Sequence, residues 1–286
     1  MRRAVAFVAV FVALGVAFLY ARERFAPREG LDEAGPVESL SPPAEPAPPS
    51  ARSEPAPPAP SRPEAPEGEA DAALPDLNAS DAAMLRVVAS LIGPEAVERF
   101  VADGDVVRKA VVTTDGLARD ALPLRLRLVP AVEGRLATTR AGDEIHLSPE
   151  NYARYEPFVR IVRGLDATRI TDTYARFYPL LQEAWVELGH PGEQFNDRLI
   201  AVVDELLDTP QPEPPIRLVA PRVLDYTFAD PALESLSSGQ KILIRMGPAN
   251  AAIVTRRLGE IRTELVERSH TLDAVRAADG PTSSER

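Results

Sequence analysis

Apolar and polar positions divide the chain into three stretches with different periodicities. Residues 4 to 20, AVAFVAVFVALGVAFLY, form an unbroken apolar run, with Arg2 and Arg3 before it and Arg22 and Arg24 after it. As a helix at about 1.5 Å per residue this run spans roughly 25 Å, near the lower limit for a bilayer core. Tyr20 then falls at the interface, where an aromatic ring with a polar tip is favoured. A cleaved signal peptide shares the basic start and apolar middle but ends in a small-x-small site, whereas this run ends in FLYARER. The pattern therefore predicts a retained single-pass anchor. The very short amino-terminal tail carries two arginines and predicts a cytoplasmic start with an exported carboxy-terminal body.

From 26 to 75 periodicity disappears. The stretch SPPAEPAPPSARSEPAPPAPSRPEAPEGE holds almost no large apolar residue after Leu40. Such a composition cannot bury enough surface to offset the entropy of ordering, so it reads as a disordered Pro/Ala/Glu-rich linker. Proline biases it toward extended polyproline II, at about 3.1 Å per residue.

At Asp76 a helical period begins. Asn78 or Ser80 opens AAMLRVVASLI, Gly93-Pro94 ends it and starts EAVERFVA, and a third short helix covers about 105 to 116. Residues 122 to 147 alternate instead: LPLRLRLVPA, then two short runs around Ala141-Gly142-Asp143, which predicts a small hairpin or extended arm. LSPENYARYEPFVRIV restarts the helical pattern, with Ser148 as cap, Pro149 at the first helical position and Leu147 stapled to Tyr152. The same grammar recurs with Asp166 as cap (Leu165 to Ile170) and with Asn196 as cap (Phe195 to Ile200). Between them Tyr174, Tyr178, Leu181, Trp185 and Leu188 share a face, and Pro179 predicts a kink or break. IRLV and VLDYTF read as short extended pieces. In LESLSSGQKILIRMGPANA, Ser237 and Gln240 have capping-box spacing, Ile242 and Met246 face inward, and Gly247-Pro248 ends one helix and opens the amphipathic last one. The expectation is a mainly α, multi-helix globular domain with one or two small β elements. It comprises an anchor and stub over 1–25, a linker over 26–75, a helical body over 76–268 and a disordered tail over 269–286.

Four blocks within this body, NYARY at 151–155, FYPLLQEAW with LG over 177–189, FNDRLI at 195–200 and LSSGQKILIRMGPANA at 236–251, resemble in order the bacterial family known as domain of unknown function 3014. The resemblance covers residues 76 to 268. It implies membrane-anchored, proline-linked proteins without an assigned activity, and it supplies no catalytic residues.

Charge and composition narrow the chemistry. The formal net charge is −11, and the body is itself acidic. Phosphate neutralisation needs a basic face, so no nucleic-acid partner is expected. The chain has no cysteine, which removes disulfides and thiolate metal sites. His146, His190 and His270 lie far apart without metal-ligand spacing, and Asp103-x-Asp105 lacks the later ligands of a calcium loop, so no metal or other cofactor is expected. LSSGQ is one residue from an ABC-transporter signature, but no GxxxxGK[ST] loop accompanies it. Ser238-x-x-Lys241 has the spacing of a penicillin-binding nucleophile, but the companion SDN-like and KTG-like elements are missing. Paired carboxylates such as Glu183 and Glu187 have the usual distribution of a solvated helix face. No complete catalytic set results.

The remaining ligand-binding candidates are Tyr152, Tyr155, Trp185, Asn196, Asp197, Arg198, Gln240, Arg245 and Asn250. Their ordinary role is aromatic core, helix cap and helix-packing polar group. Their alternative role is a cleft where stacked aromatics and amides hold a peptide or glycan. The sequence thus supports an inner-membrane, single-pass protein held in the lipid bilayer through residues 4–20, with its body in the periplasm or otherwise outside the cytoplasm. That body is expected to act as a non-catalytic interaction or scaffold module toward an envelope protein or cell-wall partner. The alternative is a peptidoglycan- or peptide-binding cell-wall module, with or without hydrolytic activity.

Overall fold

The helical periods read from the sequence close around one main core. The computed structural model describes residues 74–101, 104–120, 128, 136–220 and 226–278, with side chains described as far as Ser269. The expected anchor, most of the linker and LPLRLRLVPA other than Leu128 lie outside the described residues.

A single 3-10 turn, Leu77–Ala79, precedes α1 (Asp81–Ile92), α2 (Pro94–Phe100) and α3 (Val106–Leu117). Gly93, at φ 88°, takes the conformation that lets Pro94 start a new helix directly. The first amides of α3 are capped from another helix: the Asp81 carboxylate accepts from the backbone N–H of Asp105 and of Val106, both at 2.8 Å. Orphan helix amides prefer such an anionic acceptor.

Of the expected hairpin or extended arm, the two short runs form a hairpin, β1 (Thr138–Ala141) and β2 (Glu144–Leu147), around Gly142-Asp143. IRLV and the end of VLDYTF supply β3 (Arg217–Val219) and β4 (Thr227–Phe228), and the four strands make one antiparallel sheet in the order β1-β2-β3-β4. The separate small β elements expected from the sequence are therefore a single sheet, closed by Ile145 opposite Leu218 and Leu218 opposite Phe228.

Helix α4 runs over Glu150–Gly164, one residue later than Pro149 at the first helical position would place it. The Ser148 hydroxyl still accepts from the Glu150 amide at 3.2 Å. In α5 (Ala167–Glu187) Asp166 caps as expected, its carboxylate accepting from Arg169 N at 2.8 Å. Pro179 does not break this helix, which continues through it. Proline inside a helix costs about 3 kcal/mol. Burial on both sides offsets it, through Tyr174, Phe177 and Tyr178 before and Leu180, Leu181 and Trp185 after. In helix α6 (Phe195–Leu207) Gln194 occupies the N-cap position without a side-chain cap bond, so Asn196 is not the cap but the second helical residue. The two remaining short helices are α7 (Pro231–Glu234) and α8 (Ser238–Arg245).

The last helix, α9, spans Pro248–Ala278, so the backbone at 269–278 is helical where a disordered tail was expected. Its buried positions Ala251, Val254, Leu258, Ile261 and Leu265 alternate by three and four, one stripe along the helix. That stripe packs against α4, α5, α6 and α8. Ion pairs flank it: Arg262 with Asp204 on α6, and Arg268 with Asp172 on α5.

Two hydrophobic clusters result. The large one joins α1, α3 to α6, α8 and α9 around Trp185, Tyr155, Tyr174, Phe158, Phe177 and Phe195. The small one comprises Ile145, Leu147, Ile216, Leu218, Phe228 and, from α8, Ile244. Helix α8 serves both, since its Ile242 and Leu243, with the following Met246, belong to the large cluster.

Candidate functional site

Helix α8 starts with the capping box that its sequence specifies. The Ser237 hydroxyl accepts from the Gln240 amide at 3.5 Å, and the Gln240 side chain accepts from the Ser237 amide at 3.3 Å. Gln240 then spends its Nε2 on the carbonyl of Glu205, in the last turn of α6, at 2.8 Å. Ser238 points the other way, to the end of α3: its hydroxyl lies 2.9 Å from the Gly116 carbonyl and 2.7 Å from the Arg119 carbonyl, and its amide donates to Arg119 O at 2.9 Å. The positive start of one helix thus meets the negative ends of two others. Gly239 lets them close, because a Cβ there would sit 2.6 Å from Leu206 Cδ2 and 3.0 Å from the Leu117 carbonyl.

This geometry assigns Ser238 and Lys241 different partners. The serine hydroxyl is within hydrogen-bond reach of main-chain carbonyls, while Lys241 Nζ is 3.0 Å from Glu234 Oε1. A serine nucleophile needs its base within hydrogen-bond reach, and here the lysine is paired with a carboxylate.

The other candidates make comparable joints. Tyr152, half-buried on α4, lies against Gly247, whose φ is 84° and whose added Cβ would fall 2.6 Å from the Tyr152 ring. Burial raises the Tyr152 phenol above its ordinary pKa. Asn250 fastens the same corner, donating from Nδ2 to the carbonyls of Tyr152 and Met246, both at 2.9 Å. Tyr155 is fully buried in the large core. Arg245 donates to the Tyr226 carbonyl at 3.3 Å and lies 5.2 Å from the Phe228 ring centroid, which holds α8 to the sheet.

Around the α5–α6 turn, the Trp185 indole is 1% exposed, stacks on His190 at 3.7 Å with planes 3° apart, and meets Phe195 at 5.8 Å. Asn196 is buried and donates to Ser269 Oγ on α9 at 3.3 Å. Asp197 sits on the first turn of α6, where partial burial raises its carboxyl above the usual pKa. Burial also pushes the nearby Tyr174 phenol well up, and the charges of Tyr178 and Asp197 add to that. Arg198 crosses to α3: its Nε is 2.8 Å from Asp115 Oδ1, while Arg119 Nε is 2.6 Å from Asp115 Oδ2.

The structure therefore brings the nine candidates together in groups and does not join them by direct contacts into one set. Tyr152 and Asn250 meet at Gly247, Trp185 lies at the turn that leads into Asn196 and Asp197, Arg198 reaches from α6 to α3, and Gln240 reaches from α8 to the end of α6. Asn196 and Gln240 mark opposite ends of α6, since Glu205 is nine residues past Asn196, about 14 Å along the helix. Among the described residues, no group of three or more His, Asp or Glu side chains has metal-binding proximity.

Three polar joints escaped the sequence reading. Asp115 between two arginines is one. Gln182 is another, its Oε1 accepting from Phe195 N at 2.9 Å and its Nε2 donating to Glu193 O at 2.8 Å across the α5–α6 turn. The third is Arg108, bound by Nε to Glu187 at 2.7 Å and by a terminal nitrogen to Asn78 Oδ1 at 2.8 Å. The hydrogen bond to Glu187 raises the Arg108 pKa, and the same bond lowers that of Glu187. Apart from the i,i+4 pair of Asp115 and Arg119, the partners lie on different elements, so no local spacing announces them.

The fold is that of a mainly helical domain carrying a small antiparallel sheet. The family model described as Protein of unknown function (DUF3014) matches residues 106–262, and the chain belongs to that family. The match runs from the first residue of α3 into α9, so it takes in the small core, most of the large one and the α8 joint between them. No curated protein and no solved structure matches the chain.

Proposed function

We propose that the chain is a single-pass inner-membrane protein whose helical body works outside the cytoplasm as a non-catalytic interaction or scaffold module. The observation that carries this reading is the use made of the polar side chains in the family-like blocks. Ser238, Gln240, Asn250, Arg198 and Asn196 all bond to other elements of the body. Side chains committed in this way rigidify a body; chemistry on a substrate needs polar groups directed at a reacting atom. The apolar run at 4–20 and the proline-rich linker add a membrane address and reach to that rigid body.

Photo-crosslinking of the full chain in intact envelope is the test. A discrete envelope protein captured through exposed positions of the body, and lost when those positions are substituted, supports a scaffold. Turnover of peptidoglycan fragments by the purified full-length protein would overturn the non-catalytic reading in favour of a wall-directed module.

A further inference from the structure

The chain's entry into the body carries a polar triplet that the joints above leave partly unused. Asp76, Asn78 and Ser80 alternate with Leu77 and Ala79 in DLNAS. Asn-Ala-Ser is an N-glycosylation acceptor sequence, and neither intervening residue is proline. Of the four asparagines in the chain, at 78, 151, 196 and 250, only Asn78 has Ser or Thr two residues on. In an extended peptide residues two apart share a face, so Asp76, Asn78 and Ser80 would present carboxylate, amide and hydroxyl together.

The folded geometry suits a substituent on Asn78. The residue is exposed in the 3-10 turn, and its Oδ1 is held by Arg108 at 2.8 Å. Its Nδ2 takes part in none of the hydrogen bonds among the described residues. A glycosyl-asparagine keeps its carbonyl oxygen as an acceptor, so the Arg108 bond survives substitution at nitrogen. The same arginine binds Glu187, flanked by Val186 and Leu188, which are 44% and 41% exposed and are two of the three large exposed apolar residues among those described. Ser80, by contrast, is 1% exposed, with its hydroxyl donating to the Leu77 carbonyl at 2.7 Å. A transferase that reads the hydroxyl must therefore act before this turn closes, on the chain as it emerges from the membrane.

We propose that Asn78 is an N-glycosylation site, modified from a lipid-pyrophosphate-linked saccharide. The amide nitrogen bonds to the anomeric carbon of the sugar, and the anomeric C–O bond to pyrophosphate breaks. The lipid pyrophosphate leaves with the electron pair, and the amide proton passes to a base of the transferase. No oxidation or reduction occurs. The inference rests on the exported placement of the body, because such donors are used on the outer side of the membrane.

Mass spectrometry of the full chain from its native membranes tests it. The expected result is a 76–80-containing peptide carrying a saccharide mass on Asn78, absent in Asn78→Gln and retained in Ser80→Thr. Circular dichroism of the variants controls for folding. Placement is read separately: the chain lacks cysteine, so Ala252→Cys on exposed α9 gives one thiol for a membrane-impermeant maleimide. Unmodified Asn78 in cells whose body is labelled from outside overturns the glycosylation site alone. A body that the reagent reaches only after lysis overturns the export reading and the site with it.

Discussion

The helical core and the sheet core are held by different means. The large cluster has its own supply of bulky side chains, with Trp185, Tyr155, Tyr174, Phe158 and Phe177 all buried in it. The sheet cluster counts six buried residues, and one of them, Ile244, comes from a helix whose other faces belong to the large core. Four strands of two to four residues bury too little apolar area to stand alone. The sheet therefore depends on α8, and α8 depends on the ends of α3 and α6. In this body a small sheet is stabilised by a helix that is itself fixed by polar bonds.

That comparison can be broken from either side. The largest effect is expected at Trp185→Ala, with a loss of about 3–5 kcal/mol for removing a buried indole. Denaturant unfolding followed by hydrogen exchange should show helices and sheet losing protection together. Next comes Gly247→Ala, which places a methyl against the Tyr152 ring at a φ that alanine tolerates poorly. The expected loss is about 2–3 kcal/mol from overpacking and strain, and Tyr152→Ala in the same chain should recover part of it by opening the space.

Ile244→Ala separates the two regions. Its expected cost is about 2 kcal/mol, and amide exchange should quicken in β2, β3 and β4 while α5 and α9 keep their protection. Uniform quickening would show that the two cores are one cooperative unit. Ser238→Ala should cost about 1–2 kcal/mol, since it strips a donor from the buried carbonyls at the end of α3. If it loosened α5 more than α3 and α8, the helix-end joint would not be what holds the sheet.

The smallest effect concerns Arg108 and Glu187, which join α3 to α5. The bond to Arg108 lowers the folded-state pKa of Glu187 below its unfolded value. Its stabilisation is therefore fully present above the unfolded carboxylate range and is lost as pH falls through the depressed folded value. Glu187→Gln should have a slightly lower Tm than the native chain at neutral pH, and the gap should close in acid. A gap that persists below the carboxylate range would mean that packing, not charge, accounts for it.

Much of the body was legible in local patterns. The Gly93-Pro94 break, the Gly142-Asp143 hairpin, the Asp166 cap, the Ser237–Gln240 box and the Gly247-Pro248 junction are each written within a few residues, because caps and turns are local physics. At Pro179 the helix is not broken, because a local penalty was outweighed by burial that sequence does not display. Asn196 misled because Phe195, a core anchor, draws the helix start two residues earlier and puts Gln194 at the N-cap position. The nine site candidates were recognisable as residues with definite roles, but not the roles themselves, since each partner lies on another element.

By itself the sequence determined the division into an apolar run, a proline-rich stretch and a helical body, the positions of most helices, and membership of a family through blocks of local pattern. Those properties follow from hydrophobic period, chain stiffness and capping, which act between neighbours along the chain. Only the tertiary structure decided that the short strands form one sheet, that α8 links two cores, and that Ser238, Gln240 and Arg198 bond to distant backbone and carboxylate groups. Contacts across 35, 83 and 122 residues depend on where whole helices come to rest, and that is settled by the packing of the entire core.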